Sequence, residues 1–541
     1  MPTLDWIGKK TVLNHHREVP FRLLKTDAAL SVGDPDCGNL LVQGDNLVAL
    51  KALLPYYAGQ VKCIYIDPPY NTGNENWTYN DAVNSPEMRD WLGKVVGHEA
   101  DDLSRHDKWL CMMYPRLCLL RQFLRDDGTI FVSIDDNEIH SLRHLMDEVF
   151  GPRSFVATII WQKVYSPKNS AKHFSEDHDY IVVYAKNAEV WRPNLVSRST
   201  DQDKRYKNPD KDHRGPWKTS DLSARNPYSL GTYPITCPSG RVIPGPPRGS
   251  YWRYSEENFR EMDADRRIWW GRDGNSIPQI KRFLSEVKQG IVPQTLWTYQ
   301  EVGHTQEAKK ELLALVDFAD SQSVFVTPKP LRLLKRILQV ATGPHDIVMD
   351  SFAGSGTTGH AVLEANKEDG GNRRFVLVEM DEQICKNVTA PRLEKAVLGG
   401  SQTKTNGGKS ESPALGGGFR FVTVGEPLFD ETGNIRSDVR FADLAAHVFF
   451  VEAGVPLPKR TRARTPLLGV HNGVAIYLLF NGILGDKTPQ GGNVLTRAVL
   501  EMLPPHAGPK VIFGTGCRVG PERLRREGVT FRQIPYAVRV E

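Results

Sequence analysis

Asp346-Ile347-Val348-Met349-Asp350-Ser351-Phe352-Ala353-Gly354-Ser355-Gly356-Thr357-Thr358-Gly359 is the stretch that sets the fold class. A short apolar run ends in a carboxylate, a glycine-spaced turn follows, and residues from about His360 to Asn366 read as a helix. Glycines permit the tight turn and let a ligand approach the backbone, and the helix N-terminus behind them favours a negative group. Twenty residues past Gly359 the apolar strand Arg374-Phe375-Val376-Leu377-Val378 ends in Glu379, a place from which a carboxylate accepts hydrogen bonds from ribose hydroxyls. Strand, turn, helix and strand in that order predict an α/β fold with a mostly parallel sheet. The spacing is that of a nucleoside-cofactor site, with Asp350, Phe352, Ala353, Gly354, Ser355, Gly356, Thr357 and Glu379 as candidate residues. Gly354, Gly356 and Gly359 also match the G-x-G-x-x-G dinucleotide pattern, so a nicotinamide-dependent dehydrogenase is an alternative reading. No lysine precedes Thr357, which argues against a phosphate-binding ATPase loop.

A second strand end lies far upstream. Val61-Lys62-Cys63-Ile64-Tyr65-Ile66 reads as a buried strand, and Asp67-Pro68-Pro69-Tyr70 follows it. Proline has no N–H and a fixed φ, so the strand cannot continue, and Pro68 biases Asp67 toward an extended conformation. The expected result is a rigid turn that offers one carboxylate, one backbone carbonyl and an aromatic ring to a flat base bearing an exocyclic amine. An ordinary proline turn is the bland alternative. This turn has no role in hydride chemistry, and Asp350 and Phe352 stand before the first glycine; both facts favour S-adenosylmethionine as the cofactor.

With these two motifs in that order, the chain resembles the β-group amino DNA methyltransferases, and among them the Mod subunits of type III restriction–modification systems, over roughly residues 35 to 400. Leu41-Val42-Gln43-Gly44-Asp45-Asn46-Leu47 resembles the family segment whose aspartate, here Asp45, reaches the cofactor adenine. Phe325-Val326-Thr327-Pro328-Lys329-Pro330 resembles the motif beside the methionine end of the cofactor, which implies Thr327 and Lys329 as further cofactor residues. Gly128–Asp136 and Asp179–Lys186 resemble two core strands, to which no chemistry is assigned. The resemblance implies a Rossmann-like methyltransferase domain and methyl transfer to N6 of a flipped adenine in duplex DNA, with Asp67, Pro68, Pro69 and Tyr70 as catalytic residues. It also implies a homodimer and leaves room for a helicase–nuclease restriction subunit as partner. Asp in the first motif position leans toward adenine; N4 of cytosine is the alternative target, and a non-catalytic DNA-binding module is the alternative of a different class. The role of Asn71 is open.

The net charge of +5 is modest but unevenly placed. Between Arg198 and Arg282 stand 17 Lys/Arg against 11 Asp/Glu, so this segment carries at least the whole excess. It also holds Trp217, Trp252, Trp269 and Trp270, Tyr206, Tyr228, Tyr233, Tyr251 and Tyr254, and nine prolines that break its periodicity. Basic side chains neutralise phosphates and aromatics stack on bases. Arg198, Lys204, Arg205, Lys207, Arg214, Lys218, Arg225, Arg253, Arg266, Arg267 and Arg272 are therefore the candidate DNA-binding residues. A solvated insertion with a small core of its own is the alternative.

The expected organisation is an irregular lead-in (1–34), the catalytic half of the methyltransferase domain (35–190), a target-recognition insertion (191–310), the cofactor half (311–398), a flexible linker with seven glycines (399–418) and a small C-terminal α/β domain (419–541). Helices are expected over Asp107–Arg125 and Lys329–Val340. The basic run Lys459–Arg464 is a candidate for phosphate contact or a solvated loop. The seven cysteines form no CxxC pair, and no metal site is expected. The first residues lack the apolar core of a signal peptide, and no run approaches the ~20 apolar residues of a membrane helix, so a cytoplasmic protein is expected.

Overall fold

The computed structural model describes residues 4–34, 36–72, 105–198, 203–287, 290–316, 318, 327–403, 409–458, 465–480 and 492–535. Two compact units emerge: residues Met1–Pro193 with Gln294–Glu541, and Asn194–Pro293.

The larger unit is built on a ten-stranded sheet. Its strands in chain order are β1 (Arg22–Gly33), β2 (Leu40–Gln43), β3 (Val61–Ile66), β4 (Leu124–Ile134), β5 (Phe155–Gln162), β6 (His178–Ala185), β7 (Leu296–Trp297), β8 (Ile347–Asp350), β9 (Arg374–Glu379) and β10 (Gly418–Pro427). In space they run β1-β10-β2-β9-β8-β3-β4-β6-β5-β7. The run from β10 to β4 is parallel throughout; β6 is antiparallel to β4 and to β5. Val348, Met349, Phe375, Val376, Leu377, Val378, Cys63, Ile64 and Ile66 are all fully buried, the continuous apolar content expected of parallel strands covered on both faces.

Six helices carry the connections: α1 (Asn46–Tyr57), α2 (Arg105–Phe123), α3 (Ile139–Phe150), α4 (Leu331–Ala341), α5 (Thr357–Asp369) and α6 (Ala390–Leu398). They pack as two groups, α1 with α2 and α2 with α3, and α4 with α5 and α5 with α6. Helix α4 starts at Leu331 rather than the expected Lys329, because Pro330 excludes Lys329 from the helical region and serves as the N-cap. The apolar residues Leu333, Leu334, Ile337 and Leu338 form its buried stripe.

The sheet order contains the feature that locates a site. From β3 the chain moves to β4 on one side; from β8 it moves to β9 on the other side, while β3 and β8 are neighbours. The loops leaving their carboxyl ends diverge in opposite directions, and ligands of open α/β sheets bind in the crevice such a switch point opens.

The chain ends depart from expectation. The lead-in is not irregular: it holds short helices at Lys9–Val12 and His15–Glu18 and the edge strand β1, antiparallel to β10. Within 399–418, Gly400–Thr403 pairs with Lys409–Ser412 as a hairpin, and 404–408 lie outside the described residues. Strand β10, read as the start of a separate domain, instead inserts between β1 and β2, where Phe419 and Phe421 are fully buried. An exposed edge at β2 would be a row of unpaired backbone groups, and β10 covers it. Farther on, β11 (Leu467–His471), β12 (Val474–Leu478), β13 (Lys510–Gly514) and β14 (Val529–Gln533) form a four-stranded sheet in that order. The basic run 459–464, Phe325, Val326 and Tyr536 lie outside the described residues.

Unit Asn194–Pro293 has its own core of Leu222, Ile235, Cys237, Ile243, Trp252, Phe259, Ile268 and Ile280. Its largest sheet pairs Trp217–Asp221 with Gln279–Phe283, flanked by Ile268–Trp269. Residues beyond 293, expected in the insertion, belong to the larger unit: β7 extends the main sheet alongside β5. All seven cysteines are free thiols, and no cluster fit for a metal ion occurs among the described residues. No described helix is long and apolar enough to cross a membrane.

Gly359 sits where α5 meets the sheet: an added Cβ would lie 2.8 Å from Leu393 Cδ2 and 2.9 Å from Leu377 Cδ1. Gly359→Val overpacks this contact and is expected to destabilise the protein by about 1–3 kcal/mol. A urea-unfolding midpoint equal to that of the unmodified protein would contradict this packing.

Candidate active site

Asp67 follows β3 directly, and proline at the next two positions turns the backbone away from the sheet. Its Oδ2 pairs with the Lys329 ammonium, while Oδ1 is buried with no hydrogen-bond partner among the described residues. The Tyr70 hydroxyl is likewise buried. Burial first, and the Asp67 carboxylate second, push the Tyr70 phenol well above its ordinary range, so it stays neutral. The Lys329 ammonium lies 5.1 Å from the centre of the Tyr70 ring. No described donor reaches the Pro68 carbonyl, whereas the Pro69 carbonyl accepts from Trp109 Nε1 at 2.7 Å. Asp179, at the start of β6, completes a charged cluster: it pairs with Lys163 at 2.5 Å, and burial raises it above the usual carboxylate range against the pull of Lys329 and Lys163. The cluster presents one acceptor-only carboxylate oxygen and one backbone carbonyl beside an aromatic ring.

The glycine turn leaves the end of β8, the neighbouring strand. Gly354 and Gly356 hold φ of 51° and 75°, left-handed values that glycine adopts without strain. Asp350 is buried and shapes the turn: Oδ1 accepts from Phe352 N at 3.0 Å and Oδ2 from the Thr358 hydroxyl at 2.5 Å. Glu379 is fully buried, and its oxygens accept from Gly354 N at 2.7 Å and Asp381 N at 3.0 Å. Burial raises both carboxyls to about 7. Phe352 and Ala353 are buried within the turn, and Ala353 N donates to Val378 O at 3.0 Å.

Lys329 joins the two turns. Its side chain was expected at the cofactor; instead it pairs with Asp67, because an ammonium this deeply buried needs a counter-charge. Its backbone carbonyl accepts from the Thr357 hydroxyl at 3.2 Å. Thr327 is exposed, and no hydrogen bond among the described residues draws it into this cluster. Asp45 caps α1 by accepting from Val48 N at 2.9 Å, and the preceding Gly44 N donates to Glu379 O at 3.0 Å. Asp45 is thus tied to the end of β9, the strand next to the glycine turn.

Residues 61–390, more than half the chain, match the family model described as DNA methylase, of the N6/N4 methyltransferase class. The chain belongs to this family. The Mod subunit of the type III restriction-modification enzyme StyLTI from Salmonella typhimurium is 36% identical over 404 residues, covering 72% of this chain and 60% of the relative. The EcoPI Mod subunit of Escherichia phage P1 is 29% identical, covering 83% of this chain and 74% of the relative. The type II methyltransferase M.KpnI from Klebsiella pneumoniae is 30% identical, covering 63% of this chain and 81% of the relative. This DNA methylase chain therefore spans about three fifths of the length of the StyLTI relative.

In the methylase chain's 194–293 unit, the candidate basic residues divide by environment. Arg214 is committed internally, to Asp212 at 3.0 Å and Asp265 at 3.0 Å, and Arg267 to Glu286 at 2.7 Å and Asp265 at 2.5 Å. These ion pairs, with Lys281 to Asp210 and Asp212, consume acidic side chains and hold the small unit together. Lys204, Arg205, Lys207, Lys218, Arg225, Arg253, Arg266 and Arg272 are exposed, and Arg198 is half-buried beside Tyr206. Trp217 and Trp252 are buried, at 4% and 1% exposure, so they serve this unit's core rather than a base-stacking surface.

Three functional-site neighbours were not legible. Trp109, Glu138 and Arg392 are each buried against one of the two turns. Arg392 donates to the Thr357 hydroxyl at 2.7 Å and Ser355 Oγ at 3.1 Å, and burial lowers it to about 10. A lone arginine at helical spacing carries no signal that separates this role from a solvated one.

The raised Asp350 carries a pH signature. Its unfolded value is about 3.9, so the folded state binds the extra proton between there and about 7. The stabilisation from its neutral buried form is fully present below the unfolded value and is lost as pH rises through 7. Compared with Asp350→Asn, the ligand-free protein should lose stability steadily from pH 4 to pH 8 in paired denaturation series. A pH-independent difference between the two would contradict the assignment.

Proposed function

We propose that this chain transfers a methyl group from S-adenosylmethionine to N6 of adenine in duplex DNA. The observation that carries the proposal is the meeting of two turns at one switch point: Asp67 after β3 and the glycine turn after β8, joined through Lys329. The residues fit the cofactor. The left-handed glycines let a ligand lie against the backbone, the N-terminus of α5 faces the same turn, and Glu379 and Asp45 stand at adjacent strand ends. When bound there, S-adenosylmethionine supplies an electrophilic methyl group on a sulfonium.

The chain's own residues do the rest. An exocyclic amine is a weak nucleophile because its lone pair is delocalised into the ring. Asp67 Oδ1 accepts one amine hydrogen and the Pro68 carbonyl accepts the other. Both acceptors are fixed before the base arrives, so they stabilise the positive charge that grows on nitrogen without reorganising. Lys329 occupies the other oxygen and leaves Oδ1 as the acceptor open to the amine. Tyr70 offers its ring for stacking. The target atom lies inside the duplex stack, so the base must flip, at a cost of a few kcal/mol. The aspartate in the first motif position favours adenine over cytosine as target.

The exposed basic residues of the 194–293 unit are proposed to contact DNA phosphates and its turns to read the sequence. Likeness to Mod subunits of type III restriction-modification enzymes supports a modification subunit that pairs with a restriction subunit, and a homodimer is proposed with it.

Asp67→Ala is expected to lower methyl transfer by 10²–10³, the order found on removing one preorganised polar group, while S-adenosylmethionine affinity by calorimetry stays near that of the unmodified protein. Turnover preserved in this variant would end the assignment of Asp67. Exchange of residues 194–293 for the matching unit of a relative is expected to change the methylated sequence found by modified-base sequencing. An unchanged site would remove the reading role from this unit.

A further inference from the structure

Asn71 closes the catalytic turn and is 2% exposed. Its φ is 55°, a left-handed value that asparagine tolerates better than other side chains but that still needs holding. The side chain supplies the hold: Asn71 Nδ2 donates to Glu138 Oε1. Glu138 is fully buried at the N-cap of α3, where the helix dipole favours a negative charge. The same oxygen makes a second hydrogen bond, with His106 Nδ1 at 2.6 Å. One helical turn after His106 on α2, Trp109 donates to the Pro69 carbonyl.

The turn is thus gripped at two successive points, the Pro69 carbonyl and the Asn71 amide, by side chains from two helices. The grip has a chemical consequence. With the Pro69 carbonyl engaged, the Pro68 carbonyl is the acceptor the turn presents, next to Asp67 Oδ1. Glu138 is also a costly choice for stability alone. Its Oε2 is buried without a partner among the described residues, and apolar residues fill such positions at lower cost.

Resting on the proposed methyl transfer, we infer that Glu138 and Trp109 are positioning residues. They act through Asn71 and the Pro69 carbonyl to fix the two acceptors that hold the target amine, and neither touches substrate or cofactor. Misplacement of reacting groups by about 1 Å costs on the order of a hundredfold in rate, which sets the size of the effect.

The test uses the full chain, tritiated S-adenosylmethionine and unmethylated DNA of mixed sequence made by amplification. Glu138→Ala is expected to lower kcat about a hundredfold with cofactor affinity changed less than about twofold. Glu138→Gln keeps a carbonyl oxygen for Asn71 and is expected to recover most of that loss. Asn71→Ala should match Glu138→Ala, and the double variant should be no slower than either single, because the two act as one unit. Trp109→Phe, which keeps an aromatic ring in the site and so protects against failure to fold, should lower kcat about tenfold, the order of one lost hydrogen bond, at unchanged cofactor affinity. Multiplying losses in the double variant, or kcat losses that track cofactor affinity and thermal midpoint across the set, would overturn the inference. If the unmodified protein transfers no label, it is the methyltransferase reading that fails.

Discussion

The site depends on one pairing in the sheet, β3 beside β8. These strands come from distant parts of the chain, and their adjacency creates a crevice with the Asp67 turn on one wall and the glycine turn on the other. The Lys329–Asp67 ion pair closes the join between residues 262 positions apart. Without the pairing, the Asp67 carboxylate would be an unremarkable group at a strand end. With it, the proposed amine acceptor and the proposed cofactor cradle share one edge of the sheet.

Charge is concentrated at this edge against the interests of stability. Asp67, Asp179, Lys163, Lys329 and Glu138 are gathered near the Asp67–Asn71 turn, and Asp350, Glu379 and Arg392 surround the glycine turn. Each buried ion costs several kcal/mol to desolvate, and ion pairs return that cost only with good geometry. Burial shifts Asp350, Glu379 and Arg392 toward their neutral forms, the direction in which desolvation always acts. Apolar substitutes would pack more cheaply. Buried charge with unpartnered acceptor atoms, such as Asp67 Oδ1, fits a surface prepared for donors that a substrate brings.

Much of this was legible in the chain. Both motifs sit at the ends of short apolar strands, and proline and glycine mark turns by mechanisms that do not depend on tertiary context. The parallel core was equally clear from its unbroken apolar runs. What escaped was whatever partner choice decides. Lys329 was read as a cofactor residue because Phe325–Pro330 resembles the motif beside the methionine end of the cofactor; its counter-charge, Asp67, follows another strand. Glu138 follows a run of acidic residues that looks solvated. Strand β10 lies next to a glycine-rich stretch that hides its pairing with β2, since edge pairing is a non-local event. Trp217 and Trp252 were credited with stacking on bases, yet a unit as small as 194–293 needs its largest side chains for its own core.

The central claim is that an exocyclic amine held by Asp67 and Pro68 receives a methyl group from the neighbouring cofactor turn. Mass spectrometry of nucleosides from unmethylated DNA, incubated with the purified protein and isotopically labelled S-adenosylmethionine, tests it most directly. The account predicts label in N6-methyladenine. Label in 5-methylcytosine, or DNA recovered without label, would contradict it.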